Sequence, residues 1–136
     1  MLHVLGTAVR TRPVLASSAT LVDYLRADMA FSPVECVRVL HLNCRKMLIR
    51  DEIVSRGTVN GASIHVREII ARALELGSTG LIVVHNHPSG DPSPSEEDIT
   101  VTRRLMEASR PFGIELHDHV IVGAEGCISL RASRLL

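Results

Sequence analysis

Apolar residues recur every three or four positions in three stretches of this chain, and alternate or run unbroken in five others. Leu21, Leu25 and Met29 stand at helical spacing behind the cap candidates Ser17-Ser18-Ala19-Thr20, which predicts a helix of about ten residues. Phe31-Ser32-Pro33 ends it, because the residue before a proline is pushed out of the helical region. Residues 37–42 and 47–54 read as strands joined by a turn at Asn43-Cys44-Arg45-Lys46. Gly57 and the Asn60-Gly61 pair punctuate a loop. A second helix from near His65 puts Val66, Ile69, Ile70, Ala73 and Leu74 on one face and stops at Gly77. Residues 80–84 are short and almost wholly apolar, the pattern of a strand covered on both faces. A third helix over 95–109 carries Ile99, Thr102, Leu105 and Met106 as its stripe, and Pro111-Phe112-Gly113 closes it. Residues 114–122 and 127–130 make a second hairpin across Gly123-Ala124-Glu125-Gly126. The order α-β-β-α-β-α-β-β predicts an α/β fold, a mixed β-sheet flanked by helices.

Composition narrows the class. The 136 residues suffice for one domain with a core and fall short of two ordinary ones. Residues 1–14, with Arg10, Arg12 and Pro13, read as a lead-in arm, and 15–136 as the domain. Apolar residues make up 46% but aromatics only 2%, so Leu, Ile, Val and Ala must fill the core. Fifteen acids balance fifteen bases, so no net field draws nucleic acid or an anionic membrane, and no aromatic platform offers to stack bases. Cys36, Cys44 and Cys127 are odd in number with no C-x-x-C pair, which predicts reduced thiols in a cytoplasmic protein. No apolar run approaches the roughly 18 residues of a membrane span, and no secretory signal opens the chain.

The chemistry concentrates between His85 and Asp98. His85 and His87, one residue apart on extended backbone, project to the same side. His85 also falls at the carboxyl end of a central strand, where open α/β sheets place their sites. Ser95, Asp98 and Thr102 share one stripe of the following helix, and a short loop stiffened by prolines brings that stripe back over the strand end. Two imidazoles and one carboxylate with a fourth position open is the donor set of a catalytic zinc. The plainer alternative is helix capping, for which Ser93 with Pro94 and Glu96 also qualifies, and the capping role is assigned to Ser93. A hydrolytic zinc needs a second carboxylate to move protons. Glu52 is the best candidate, set in an otherwise apolar strand on the same face as Leu48 and Val54, with Asp51 opposed. The competing reading puts Glu52 on a solvated edge beside Arg50 and Asp51.

Glu52, then His85-x-His87, seven residues, Ser95, two residues and Asp98 resembles the JAMM (MPN+) metalloprotease motif. His85-Asn86-His87-Pro88-Ser89-Gly90, with Arg67-Glu68 upstream and His117-Asp118-His119 downstream, resembles the RadC family more narrowly. That resemblance implies a cytidine-deaminase-like MPN fold. It implies Zn2+ on His85, His87 and Asp98, with Glu52 as general acid/base and Ser95 as donor to the oxyanion. RadC proteins commonly carry a helix-hairpin-helix region upstream, of which 1–14 shows no trace, so the chain reads as a RadC C-terminal domain. Thr102, His117, Asp118, His119 and Arg67 are candidate supporting groups around the metal. Asp118 needs a partner if buried, and Arg67 is a candidate, by resemblance more than by spacing. His117 and His119 equally fit a solvated strand face. His41 and His65 read as structural or exposed, and His3 lies in the arm.

The expected function is therefore zinc-dependent hydrolysis of a peptide or isopeptide bond, with no serine or cysteine nucleophile paired to a histidine in evidence. Two alternatives stand beside it. One is a DNA-repair-associated module that binds nucleic acid, for which Arg103, Arg104, Arg110, Arg131 and Arg134 form a weak patch. The other is a zinc-binding interaction domain without turnover. Substrate and oligomeric state are not specified by the sequence.

Overall fold

Long apolar strands in a chain with few aromatics need cover on both sides, and the fold provides it. A computed structural model describes residues 18–57 and 63–136. The expected arm at 1–14, with His3, and the Asn60-Gly61 turn lie outside the described residues. The elements run α1 (Ser18–Met29), β1 (Cys36–Leu42), β2 (Leu48–Arg56), α2 (Val66–Leu76), β3 (Gly80–Asn86), α3 (Glu96–Ser109), β4 (Glu115–Gly123) and β5 (Gly126–Ser129), with a 3₁₀ turn at Arg110–Phe112. The five strands form one mixed sheet in the order β2-β1-β3-β4-β5, with β3 and β4 parallel and the other pairs antiparallel.

Every residue of β1 and β3 is buried, as strands sandwiched between helices must be. On one face Leu21, Leu25 and Met29 of α1 pack on Leu40, Leu42, Ile82, Val84 and Val122. On the other, Ile69 and Ala73 of α2 and Leu105 of α3 pack on Val37, Val39, Leu81 and Val83. Leu74, expected on the core face of α2, is 52% exposed. It lies about 100° around the helix from Ala73, whereas Val66, Ile69, Ile70 and Ala73 pack into the core on the sheet. Gly77 ends α2 with φ 68°, the left-handed conformation that glycine adopts without strain.

The alternation expected of β2 does not run through the strand. Its register against β1 slips between Val37 and Arg38 and again between His41 and Leu42. Leu48 therefore packs with the α1 side while Val54 packs with the α2 side, rather than sharing a face. The three cysteines are free, Cys36 buried, Cys127 partly so and Cys44 exposed in the β1–β2 turn. No helix among the described residues is long and apolar enough to cross a membrane.

One charged group interrupts the α1 layer. Arg38 is 6% exposed and pairs with Asp51 of β2 and Asp28 of α1, with its Nη2 also donating to Tyr24 Oη at 3.1 Å. The Tyr24 hydroxyl in turn donates to Asp51. Burial first, then that hydrogen bond, push the Tyr24 phenol from 10.0 up to about 12. Tyr24 is the chain's one tyrosine, so tyrosinate absorbance reports on it alone. We expect ionisation near pH 12 in the folded protein and near pH 10 in denaturant. The folded value is the raised one, so this contribution to stability is complete below pH 10 and disappears as pH climbs through 12. Native ionisation near pH 10 would show that the network does not hold the ring.

Candidate metal centre

The β1–β3 register decides what stands beside the histidines. Val37 pairs with His85 across this antiparallel ladder, so two residues further out Glu35 falls level with His87. His85 is inside β3, and His87 follows immediately, its N–H donating to the Val122 carbonyl at 2.8 Å. The loop then doubles back. Gly90 takes φ +96°, and a Cβ on Gly123 would stand 2.3 Å from the Gly90 carbonyl oxygen, so the β4–β5 turn backs directly onto this loop. The Glu125 N–H donates to that same carbonyl at 3.1 Å.

Chain direction is then reset by α3. Asp91 Oδ1 accepts from both the N–H and the hydroxyl of Ser93, which keeps Ser93 in the loop. Ser95, not Ser93, is the N-cap: Asp98 N–H donates to Ser95 Oγ at 3.0 Å and Ser95 N–H to Asp98 Oδ2 at 2.9 Å, a reciprocal capping box. That box fixes the Asp98 carboxylate over the strand end.

Three donor groups converge there. His85 Nε2 and His87 Nε2 are 2.8 Å apart, and Asp98 places its carboxylate oxygens 3.6 Å from the first and 3.4 Å from the second. Tetrahedral zinc with ligands at about 2.0–2.1 Å has edges of roughly 3.3 Å, which those separations bracket. Glu35 is the fourth group. Its Oε1 lies 4.0 Å from His87 Nε2, and Glu35, His85 and His87 offer ligand atoms all within 4.8 Å of one another. Asp98 meets both imidazoles at the shorter separations, and Glu35 stands further out.

The two imidazole nitrogens are close enough to share a proton or a metal ion. His87 Nδ1 faces the main-chain carbonyl of Asp91 at 3.0 Å, and a carbonyl only accepts. The ring proton is thus on Nδ1, and Nε2 turns its lone pair toward His85. Two imidazole nitrogens at 2.8 Å with a carboxylate beside them are mutually repulsive unless a proton or metal lies between. Burial opposes the charged Asp98, but its imidazole neighbours and the Ser95 N–H outweigh it and hold the carboxyl below its ordinary value. The hydrogen bond to Asp98 raises the His87 pKa against its partial burial.

A cleft of about 540 Å3 opens over this point, its wall including Glu35, Ser63, His65, His85, Ser95 and Asp98. Glu52 is not part of it. That residue lies on the edge strand opposite Val39, with β1 between it and β3, and its carboxylate receives Arg72 Nε and Nη2 at 2.9 and 2.8 Å. Arg72 above all, with Arg50 at 3.4 Å, holds Glu52 below its ordinary pKa. The carboxylate is paired and partly solvated, so its presence in an apolar strand needs no catalytic explanation.

Behind the histidines, His119 Nε2 meets His85 Nδ1 at 2.6 Å and Thr102 Oγ1 meets His119 Nδ1 at 2.5 Å. Burial, then the neighbouring His85, push the His119 pKa down to about 3. His117 is elsewhere. The β3–β4 register slips beside it, and its ring packs over Gly80, where an added Cβ would be 2.4 Å from Nε2. Asp118 points to the other face and accepts from Ser129 Oγ, Arg131 N–H and His119 N–H, not from Arg67, which is exposed on a helix across the sheet. One serine–histidine pair does exist: Ser78 Oγ and His41 Nδ1 are 2.8 Å apart, but both residues are buried away from the cleft. His65 lines the cleft from its exposed position ahead of α2.

A family model described as RadC-like JAB domain matches residues 15–135. The chain belongs to the RadC family. A UPF0758 protein of Rhodobacter capsulatus is 47% identical to it over 128 residues, which cover 94% of this chain and 60% of that relative. The chain thus spans about three fifths of the curated relative it resembles. Its five-stranded mixed sheet with three helices is an α/β architecture consistent with the JAB/MPN fold. The Glu35, His85 and His87 group is a possible metal site of this RadC-family domain.

Proposed function

We propose that this RadC-family domain is a zinc-dependent hydrolase of amide bonds in peptides or isopeptides, with His85, His87 and Asp98 as the metal ligands. The observation that carries the reading is the convergence of two imidazole nitrogens and Asp98 at 2.8–3.6 Å, with a second carboxylate, Glu35, at 4.0 Å. Zinc held there supplies Lewis acidity, which lowers the pKa of water to about 7 and polarises a carbonyl oxygen. Glu35 is the general acid/base: it takes a proton from the attacking water and delivers it to the departing amide nitrogen. Ser95 keeps its cap and gains a second task. Its oxygen accepts from Asp98 N–H, which leaves its own proton to donate into the cleft toward a developing oxyanion.

The partner class that fits is a polypeptide entering the open cleft. A nucleic-acid reading draws less support, because two arginines of the basic patch are engaged within the chain. Arg103 Nε donates to the Leu135 carbonyl, and Arg131 donates to the carbonyls of His117 and Leu116. The test is to load the protein with one zinc, incubate it with unstructured polypeptides and isopeptide-linked chains, and locate new termini by mass spectrometry. Cleavage that a chelator abolishes and added zinc restores supports the reading. A zinc-loaded protein that cuts none of them counts against it.

A further inference from the structure

Behind His85 runs a file of buried groups that the proposed chemistry does not use. Thr102 is 1% exposed and His119 is fully buried, so no water competes for their hydrogen bonds. The file starts on the main chain. Thr102 Oγ1 lies 2.5 Å from the carbonyl oxygen of Asp98, one helical turn earlier. A carbonyl only accepts, so the Thr102 proton is committed to it, and the Thr102 oxygen must accept from His119 Nδ1–H at 2.5 Å. His119 Nε2 then turns a lone pair to His85 Nδ1 at 2.6 Å, which must carry the proton. The remaining nitrogen of His85, Nε2, is the one facing His87 and Asp98.

We propose that Thr102 and His119 are positioning residues that hold His85 in its Nδ1-protonated tautomer, leaving Nε2 to bind the metal. Reversing a single link fails. If the Thr102 proton turned to His119, two oxygen lone pairs would face each other at 2.5 Å between Thr102 and Asp98. The file also closes on itself, because the residue whose carbonyl anchors it is Asp98, whose carboxylate meets the same His85 Nε2. Helix α3 and strand β3 are thereby tied together at the two points that deliver the ligands. A neutral imidazole behind His85 fixes the tautomer without adding the negative charge that a carboxylate would bring.

The inference rests on His85 being a ligand, and the experiment separates the two. Imidazole nitrogen resonances of the full chain are recorded first without metal and then with Zn2+ alone. We expect His119 as Nδ1–H with bare Nε2, and His85 with Nδ1–H, in both states. Thr102→Val removes the acceptor for His119 Nδ1–H. It is expected to mix the His119 tautomers and weaken zinc binding about 10–100-fold, while Thr102→Ser restores both. An Nε2–H tautomer at His119 in the unaltered protein overturns the proposal, even if Thr102→Val does not fold. So does Thr102→Val with unchanged tautomers and zinc affinity, or Thr102→Ser as impaired as Thr102→Val. The expected tautomers in a protein that binds no zinc support the relay and count against the metal reading instead.

Discussion

Asp98→Ala is expected to weaken zinc binding by more than a hundredfold, beyond the roughly 10–100-fold typical of groups that only support a ligand. Among the described residues, Asp98 brings a carboxylate nearest to both imidazole nitrogens, at 3.6 and 3.4 Å. Without it, His85 and His87 supply two neutral donors, and the nearest remaining carboxylate is Glu35, 4.0 Å from His87 Nε2. The substitution also removes half of the capping box, since Asp98 Oδ2 accepts from Ser95 N–H. Loss of such a cap costs about 1 kcal/mol, so metal-free Asp98→Ala should also unfold at a lower temperature. Asp98→Asn separates the two effects. Its side-chain oxygen still accepts from Ser95 N–H, so the metal-free unfolding temperature should recover most of its value, while zinc affinity stays low for want of charge. Chelator competition gives the affinity and thermal unfolding the stability. Full affinity in Asp98→Asn would show that the carboxylate acts only as a cap.

Much of the site was legible because it is local. His85, His87 and Asp98 lie within fourteen consecutive residues, a strand end, a proline-stiffened loop and a first helical turn, whose geometry spacing alone constrains. What failed was information carried by pairing. Glu35 joins the site only because β1 runs antiparallel beside β3 with Val37 opposite His85. No periodicity reports that register, although an acid directly ahead of the first strand was a visible hint. Glu52 was attractive because a carboxylate in an apolar strand looks costly. That cost vanishes on an edge strand, and Arg72 arrives from a helix twenty residues away. The cap moved from Ser93 to Ser95 for a similarly small reason: Asp91 occupies both the N–H and the hydroxyl of Ser93. The H-x-H at His117 and His119 looked like one unit on one face. A register slip in β4 divides it, sending His119 behind His85 and His117 to the far end of the strand.

The Glu35 assignment has the other large expected effect, and it is best read against Glu52. Glu35→Gln keeps the size and hydrogen-bonding shape of the side chain but removes its capacity to take a proton. It should retain zinc at close to the unaltered affinity, because Asp98 and the two histidines remain. Hydrolysis should fall about 10²–10⁴-fold, the contribution of a positioned general acid/base. Glu52→Gln should leave both zinc and hydrolysis near their original levels, because its carboxylate faces Arg72 and Arg50 at the sheet edge. Its effect belongs on stability, through the loss of charge opposite Arg72. The pair of variants is measured for bound zinc, cleavage rate and unfolding temperature under one set of conditions. Loss of zinc in Glu35→Gln would move Glu35 into the ligand set, as its position within 4.8 Å of both histidine donors allows. Loss of cleavage in Glu52→Gln with full activity in Glu35→Gln would reverse the assignment. That outcome would require Arg72 to release Glu52 and the edge strand to reach past β1, a rearrangement that the β1–β2 register opposes along its whole length.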